Sequence, residues 1–115
     1  MKFLALAAFL AALPAVGAAQ GYCPGATQID INFCAKARWE AADRELNRLW
    51  SMVKPAADAR GTGPQLLQEQ RAWLQRRDAA CEPELSSGGS AAAMFYWSCM
   101  EDLTVQRNTA LQAMR

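Results

Sequence analysis

Four cysteines in a 115-residue chain that has no histidine constrain this sequence more than any other feature, because its N-terminus reads as an export signal. Lys2 supplies a small positive n-region, Phe3 to Leu13 is an apolar h-region, and Pro14 to Ala19 brings a helix breaker followed by small residues. That is the form of a cleavable signal peptide over residues 1–19, leaving residues 20–115 as the mature chain. The apolar run is too short for a membrane span, which needs about 20 residues. Gln20, Gly21 and Tyr22 separate Cys23 from the small-residue run, so no lipid anchor at the new N-terminus is expected. The expected location is periplasmic or secreted. Such compartments are oxidising, and there Cys23, Cys34, Cys81 and Cys99 read as two disulfides. A four-thiolate zinc site would call for a C-x2-C knuckle, and the sequence has none. Three pairings are open. The expectation leans to Cys23–Cys34 and Cys81–Cys99, each closing a short loop and constraining the unfolded chain by about 3 kcal/mol.

What remains after signal removal suffices for one small domain. Loss of Lys2 leaves basic and acidic residues equal in number, a formal charge of zero. Neither nucleic acid nor an anionic membrane is suggested by such a balance, since each calls for a basic stripe.

Hydrophobic periodicity predicts helices throughout. Thr27-Gln28-Ile29-Asp30 has capping-box form and marks a helix start. Ile31, Ala35, Trp39, Ala42, Leu46, Leu49 and Val53 then recur at spacings of 3 and 4, one face of a long amphipathic helix. Pro55 is expected to stop or kink it near Lys54, with residues 55–64 as a linker. Pro64 suits the first position of a second helix, whose face runs through Leu67, Gln70, Leu74, Arg77 and Cys81 and which Pro83 should end. Residues 82–90 read as a flexible polar loop, with Ser90 as N-cap of a third helix carrying Tyr96, Cys99, Leu103, Gln106, Ala110 and Met114, widened by Met100, Arg107 and Leu111. No segment has the period of two of a strand. The fold class expected is all-α, a disulfide-stapled three-helix domain built on a long antiparallel helical hairpin. Trp39 and Trp73 fall on or beside the core stripes; Trp50 and Trp97 lie at their edges, open to core or surface roles.

Gln70 and Arg77 interrupt an otherwise apolar face. Setting Val53 opposite Leu66 in the hairpin brings Arg77 to Asp43 and Gln70 within reach of Asn47. A buried guanidinium must be paired, so an ion pair and amide network of Asp43, Asn47, Gln70 and Arg77 fixing helix register is preferred over a ligand-binding polar pocket.

The same residues form a recognisable order: Thr27-Gln28-x-Asp30-x-Asn32-x-Cys34-Ala35, Ala42-Asp43-x2-Leu46-Asn47, Gln70-Arg71-Ala72-Trp73-Leu74-x2-Arg77-Asp78-Ala79-x-Cys81, Gly88-Gly89-Ser90, and Cys99-x3-Leu103-Thr104-x2-Arg107-x3-Leu111. Over nearly all of the mature chain this resembles the LprI-type lysozyme-inhibitor family of small secreted bacterial proteins. Family members are often lipoproteins, from which this chain departs by lacking the lipidation cysteine. The resemblance implies inhibition of a lysozyme, and hence protection of peptidoglycan.

An enzyme is the least attractive class. Without histidine a Ser-His-Asp or Cys-His set is impossible, and paired disulfides remove the thiol nucleophile; no cofactor or metal is implied. The leading reading is a protein that blocks a peptidoglycan-cleaving muramidase by stoichiometric binding. A lysozyme groove is filled most readily by a projecting loop, and the candidate is residues 82–90: Glu82 and Glu84 as acids against a cationic rim, then Ser86, Gly88, Gly89 and Ser90, small enough for close backbone approach. The alternative is a periplasmic interaction module, antitoxin-like or an accessory envelope protein, with no action on lysozyme.

Overall fold

The computed structural model describes residues 23–115; the signal peptide expected over residues 1–19 lies outside the described residues. Three helices follow in order: α1 (Gln28–Ala59), α2 (Gly63–Ser86) and α3 (Ala92–Gln112), with no strand among the described residues. The all-α, three-helix expectation holds. Both disulfides take the preferred pairing, Cys23–Cys34 and Cys81–Cys99, and no free cysteine remains among the described residues.

The start of α1 is as the sequence reads. Thr27 is its N-cap, with Oγ1 accepting from the Asp30 backbone N–H at 3.1 Å. The Thr27 hydroxyl in turn donates to Asp30 Oδ2 at 2.7 Å. Such a cap contributes about 1 kcal/mol.

Both prolines correct the expected boundaries. α1 continues through Pro55 to Ala59, and α2 through Pro83 to Ser86. A proline inside a helix removes one hydrogen bond and crowds the carbonyl four residues back, at a cost of about 3 kcal/mol. Here Pro55 and Ser51 are both exposed, as are Pro83 and Ala79, so each orphaned carbonyl falls on the solvent side. Packing then outweighs propensity. Val53 and Ala57 are buried on either side of Pro55, the Lys54 ammonium reaches Asp58 Oδ1 at 2.7 Å along the same stretch, and the Cys81 disulfide holds α2 beside Pro83. The linker shrinks from the expected ten residues to Arg60–Thr62. Gly61, with φ of 82°, lets the Thr62 N–H reach Ala57 O at 2.9 Å and its own N–H reach Asp58 O at 3.0 Å, a Schellman closure that needs a left-handed residue.

α3 packs most extensively on α1, next on α2, and α1 meets α2 least. The contacts of Gln28 with Met94, Arg38 with Glu101 and Asn108 with the Ala42 carbonyl show that α1 and α3 run in parallel. Cys81 with Cys99, Arg77 with Thr104 and Gln70 with Arg107 make α2 run antiparallel to α3. Near the α1–α2 turn Val53 and Leu66 belong to one core with Leu46, Leu49, Ala57 and Leu111, edged by Trp50, Met52, Trp73 and Met114. Beyond that turn α3 takes over as the partner of both helices, so a long α1–α2 hairpin is not the organising feature. Trp50 therefore serves the core edge. Trp97 meets Trp39 with ring centroids 4.9 Å apart and Tyr96 edge-on at 4.8 Å, a cluster that seals the α1–α3 seam.

Candidate functional site

The corner between α2 and α3 is the segment that sequence analysis singled out, and its anatomy differs from a nine-residue loop. Glu82, Glu84 and Ser86 lie on the final turns of α2, with Glu82 exposed and Glu84 half-buried. Only Ser87 to Ala91 are non-helical. Gly88 and Gly89 take φ of 73° and 81°, consecutive left-handed positions that glycine adopts without a Cβ penalty. Ser87 Oγ donates to Glu84 O at 2.7 Å, tightening the last turn of α2. Ser90 does not cap α3. The N-cap is Ala91, without a side-chain cap bond, and its carbonyl accepts from the Phe95 N–H at 3.2 Å; the Ser90 carbonyl instead accepts from Asn32 Nδ2 at 2.9 Å.

That bond connects the corner to α1. Gln28 Nε2 donates to Asn32 Oδ1 at 2.9 Å, which leaves the Asn32 amide group for Ser90, and also approaches Met94 Sδ at 3.7 Å. The Thr-Gln-x-Asp-x-Asn block thus caps α1 at one position and pins the corner at another. On the other side the Cys81–Cys99 disulfide clamps the helices that enter and leave it. A short exposed turn held at both flanks loses little conformational freedom on meeting a partner.

The four polar residues expected to form one network are separated. Arg77 pairs with its neighbour Asp78, Nε and Nη2 each 3.0 Å from Oδ1, rather than with Asp43. Its Nη1 makes a long contact of 3.4 Å to the fully buried Thr104 hydroxyl on α3. Gln70 Oε1 accepts from Arg107 Nε at 2.7 Å rather than meeting Asn47, which is exposed. Arg107 Nη1 also reaches Glu69 Oε1 at 2.9 Å. The guanidinium carbons of Arg77 and Arg107 lie 5.2 and 5.9 Å from the centre of the Trp73 ring, close enough for cation–π attraction. The physical reason for the correction is the third helix: the polar positions of α2 face α3, where Thr104 and Arg107 complement them, and not α1. Arg107 and Thr104 are the residues that the hairpin construction missed, although both stand in the Leu-Thr-x2-Arg block that the sequence displays. Two cations buried between helices, each with a carboxylate reaching out to solvent, make a register lock.

Outside this network, Arg38 sits beside the Cys23–Cys34 disulfide, Nη1 2.7 Å from Cys23 Sγ, with Nε 3.5 Å from Glu101 Oε1 on α3. Arg48 grips Glu45 through two nitrogens and holds its carboxyl below the ordinary range by hydrogen bonding first and by charge second. No group of three or more metal-ligating side chains exists among the described residues, and no described helix is long and apolar enough to cross a membrane.

A protein of Rhizobium meliloti (strain 1021), itself described as uncharacterized, is 33% identical over 100 residues, 75% of this chain and 72% of the relative. No solved structure matches. The family model described as Lysozyme inhibitor LprI matches residues 23–111, from the first disulfide cysteine to the last core leucine of α3. The capped and pinned start of α1, the α2–α3 lock and the glycine corner all fall within that match, and the chain belongs to the LprI lysozyme-inhibitor family.

Proposed function

We propose that this protein acts in the periplasm or outside the cell as a stoichiometric inhibitor of a peptidoglycan-cleaving muramidase, and that the α2–α3 corner is the part that enters the enzyme's groove. The observation that supports the reading is the anchoring of that corner. A family described by lysozyme inhibition needs a surface that projects and is already ordered, and Gly88-Gly89 projects from a base clamped by Cys81–Cys99 and by the Asn32–Ser90 bond. Glu82, exposed on the last turns of α2, places a carboxylate beside the turn, where a cationic groove rim would attract it and speed encounter.

Catalysis by the chain itself is not part of the reading. Inhibition requires shape, order and charge at the corner, all of which the fold supplies without a cofactor.

A turbidity assay tests it: purified oxidised protein titrated against several lysozyme types on a peptidoglycan suspension. Lysis of at least one type should fall linearly to a stop near equimolar inhibitor. No inhibition at several-fold excess against any type would remove the proposal. Glu82→Lys with Glu84→Lys should slow association while leaving the helical circular dichroism unchanged. Position 89 is a poor probe, since any side chain there meets backbone strain at φ of 81°. Ser90→Trp is the better steric variant, because Ser90 contributes only its carbonyl to the anchor.

A further inference from the structure

A second surface lies apart from the corner. On α1 and α3 a groove of about 990 Å³ is lined by Asp30, Phe33, Ala37, Ala41 and Arg44 from α1 and by Val105 from α3. Phe33 is 68% exposed and Val105 50%, unusual for large apolar side chains bordering one concavity. The five α1 residues stand at spacings of 3, 4, 4 and 3, so they form a single helical face.

The order of those five residues is self-complementary about Ala37. Phe33 stands one turn before Ala37 and Ala41 one turn after; Asp30 stands two turns before and Arg44 two turns after. If a second α1 crosses antiparallel at Ala37, each Phe33 ring lies over the small Ala41 of the other copy. Each Arg44 then comes beside the other copy's Asp30. A large residue meets a small one and a cation meets an anion, twice over, which is the property an isologous two-fold contact demands. Ala37 at the centre lets the helices approach closely. Val105 on α3 then closes the trench against the incoming helix.

We propose that this groove receives the same groove of a second copy of the chain, giving an antiparallel two-fold dimer centred on Ala37. The idea stands apart from lysozyme inhibition and leaves the α2–α3 corner free. Zero formal charge over the described residues removes the self-repulsion that would oppose it. A groove face about 30 Å long and two helices, about 20 Å, wide would bury about 600 Å² from each copy. The total of about 1,200 Å² is at the lower limit for a specific interface, so the dimer should be reversible, with a dissociation constant on the order of micromolar.

Sedimentation equilibrium of the mature oxidised protein from about 1 µM to about 500 µM tests it. A concentration-dependent monomer–dimer equilibrium is expected. Phe33→Glu and Arg44→Glu should each raise the dissociation constant at least tenfold, and Arg44→Glu combined with Asp30→Arg should restore it to within about threefold of the parent. Leu85→Glu, at an exposed apolar residue on α2 outside the groove, should leave it unchanged. Circular dichroism accompanies every variant; because the Asp30 carboxylate also accepts from the hydroxyl of the N-cap Thr27, the double variant is read only against its own helical signal, and Phe33→Glu and Arg44→Glu carry the test if that signal falls. A protein monomeric at every concentration overturns the proposal, as does a dimer indifferent to both single variants. A monomeric parent whose lysozyme inhibition is lost in Phe33→Glu would also overturn it, assigning the groove to the enzyme instead.

Discussion

α3 makes two interfaces of opposite character. Toward α1 it presents Trp97, Leu111 and Met114, which meet Trp39 and the Leu46–Leu49–Val53 stripe, with polar contacts only at the margins: Asn108 Nδ2 donating to Ala42 O and the partly exposed Arg38–Glu101 pair. Toward α2 it presents Thr104 and Arg107, which meet Arg77, Gln70 and Glu69, and it is closed by the Cys81–Cys99 bridge. Apolar contacts are non-directional and tolerate sliding along the helix axis. Hydrogen bonds to a buried guanidinium hold only at one register. The difference teaches a division of labour: the α1 side supplies most of the burial free energy, and the α2 side selects the alignment that brings the glycine corner to its place.

The largest effect should come from the apolar side. Leu111 is completely buried within the core cluster, and Leu111→Ala should destabilise by about 4 kcal/mol from lost transfer energy and the cavity left behind. Urea denaturation of the oxidised protein measures it, and a loss below about 1 kcal/mol would show that the burial energy lies elsewhere. Removing the α2-side staple as Cys81→Ala with Cys99→Ala should cost about 3 kcal/mol. It should also weaken lysozyme inhibition more than Leu111→Ala does at a temperature where both variants are folded, because the corner loses its clamp. Equal losses of inhibition would break the proposed division.

Arg107→Ala comes next. It leaves Gln70 Oε1 buried without its donor and strips a cation from the Trp73 ring, for about 2 kcal/mol. Arg107→Met, which keeps the stem packing, should recover part of that in thermal unfolding. A smaller effect separates the α2–α3 network from the hairpin picture. A double-mutant cycle of Arg77→Ala with Thr104→Val should show coupling of about 1 kcal/mol, whereas the cycle of Arg77→Ala with Asp43→Ala should show none. Coupling to Asp43 in solution would restore the α1–α2 hairpin as the framework.

How much of this was legible in the sequence depends on whether the signal was local. The Thr27 cap and the three amphipathic faces are local, and the sequence displays them; the Gly61 stop is local too, but Pro55 masks it by offering an earlier one. The disulfide pairing was weakly legible, through short loops alone. Pro55 and Pro83 misled because a proline's cost is local while the packing that outweighs it, Val53 and Ala57 in one case and Cys81 in the other, is tertiary. Gln70 and Arg77 were correctly read as buried polar residues that need partners. The hairpin construction places their partners on α1, the neighbour in sequence, whereas Thr104 and Arg107 stand at matching intervals on α3. The glycines and acids of the corner are visible in the sequence, but its anchor through Asn32 spans 58 positions and has no local trace.

The smallest effect belongs to a surface pair at the edge of the apolar α1–α3 side, and it sharpens the comparison by showing what an exposed ion pair does not do. Glu45 and Arg48 are one helical turn apart and both exposed to a large degree. The Glu45 carboxyl is lowered below its ordinary value by Arg48, so in the folded state it holds its proton less tightly than in the unfolded chain. A group depressed in this way contributes stability that is present above its unfolded pKa and disappears as pH falls through the folded one. Glu45→Gln should therefore fall slightly below the parent at neutral pH, and the difference should close once the solution is acid enough to protonate Glu45 in the folded state. The melting-temperature difference should shrink further when salt screens the pair. The contrast with Arg107, whose loss should be felt at every pH and salt concentration, is what separates a buried register contact from a solvated one. A salt-insensitive Glu45→Gln defect as large as that of Arg107→Ala would mean that the α1 side also carries a polar lock.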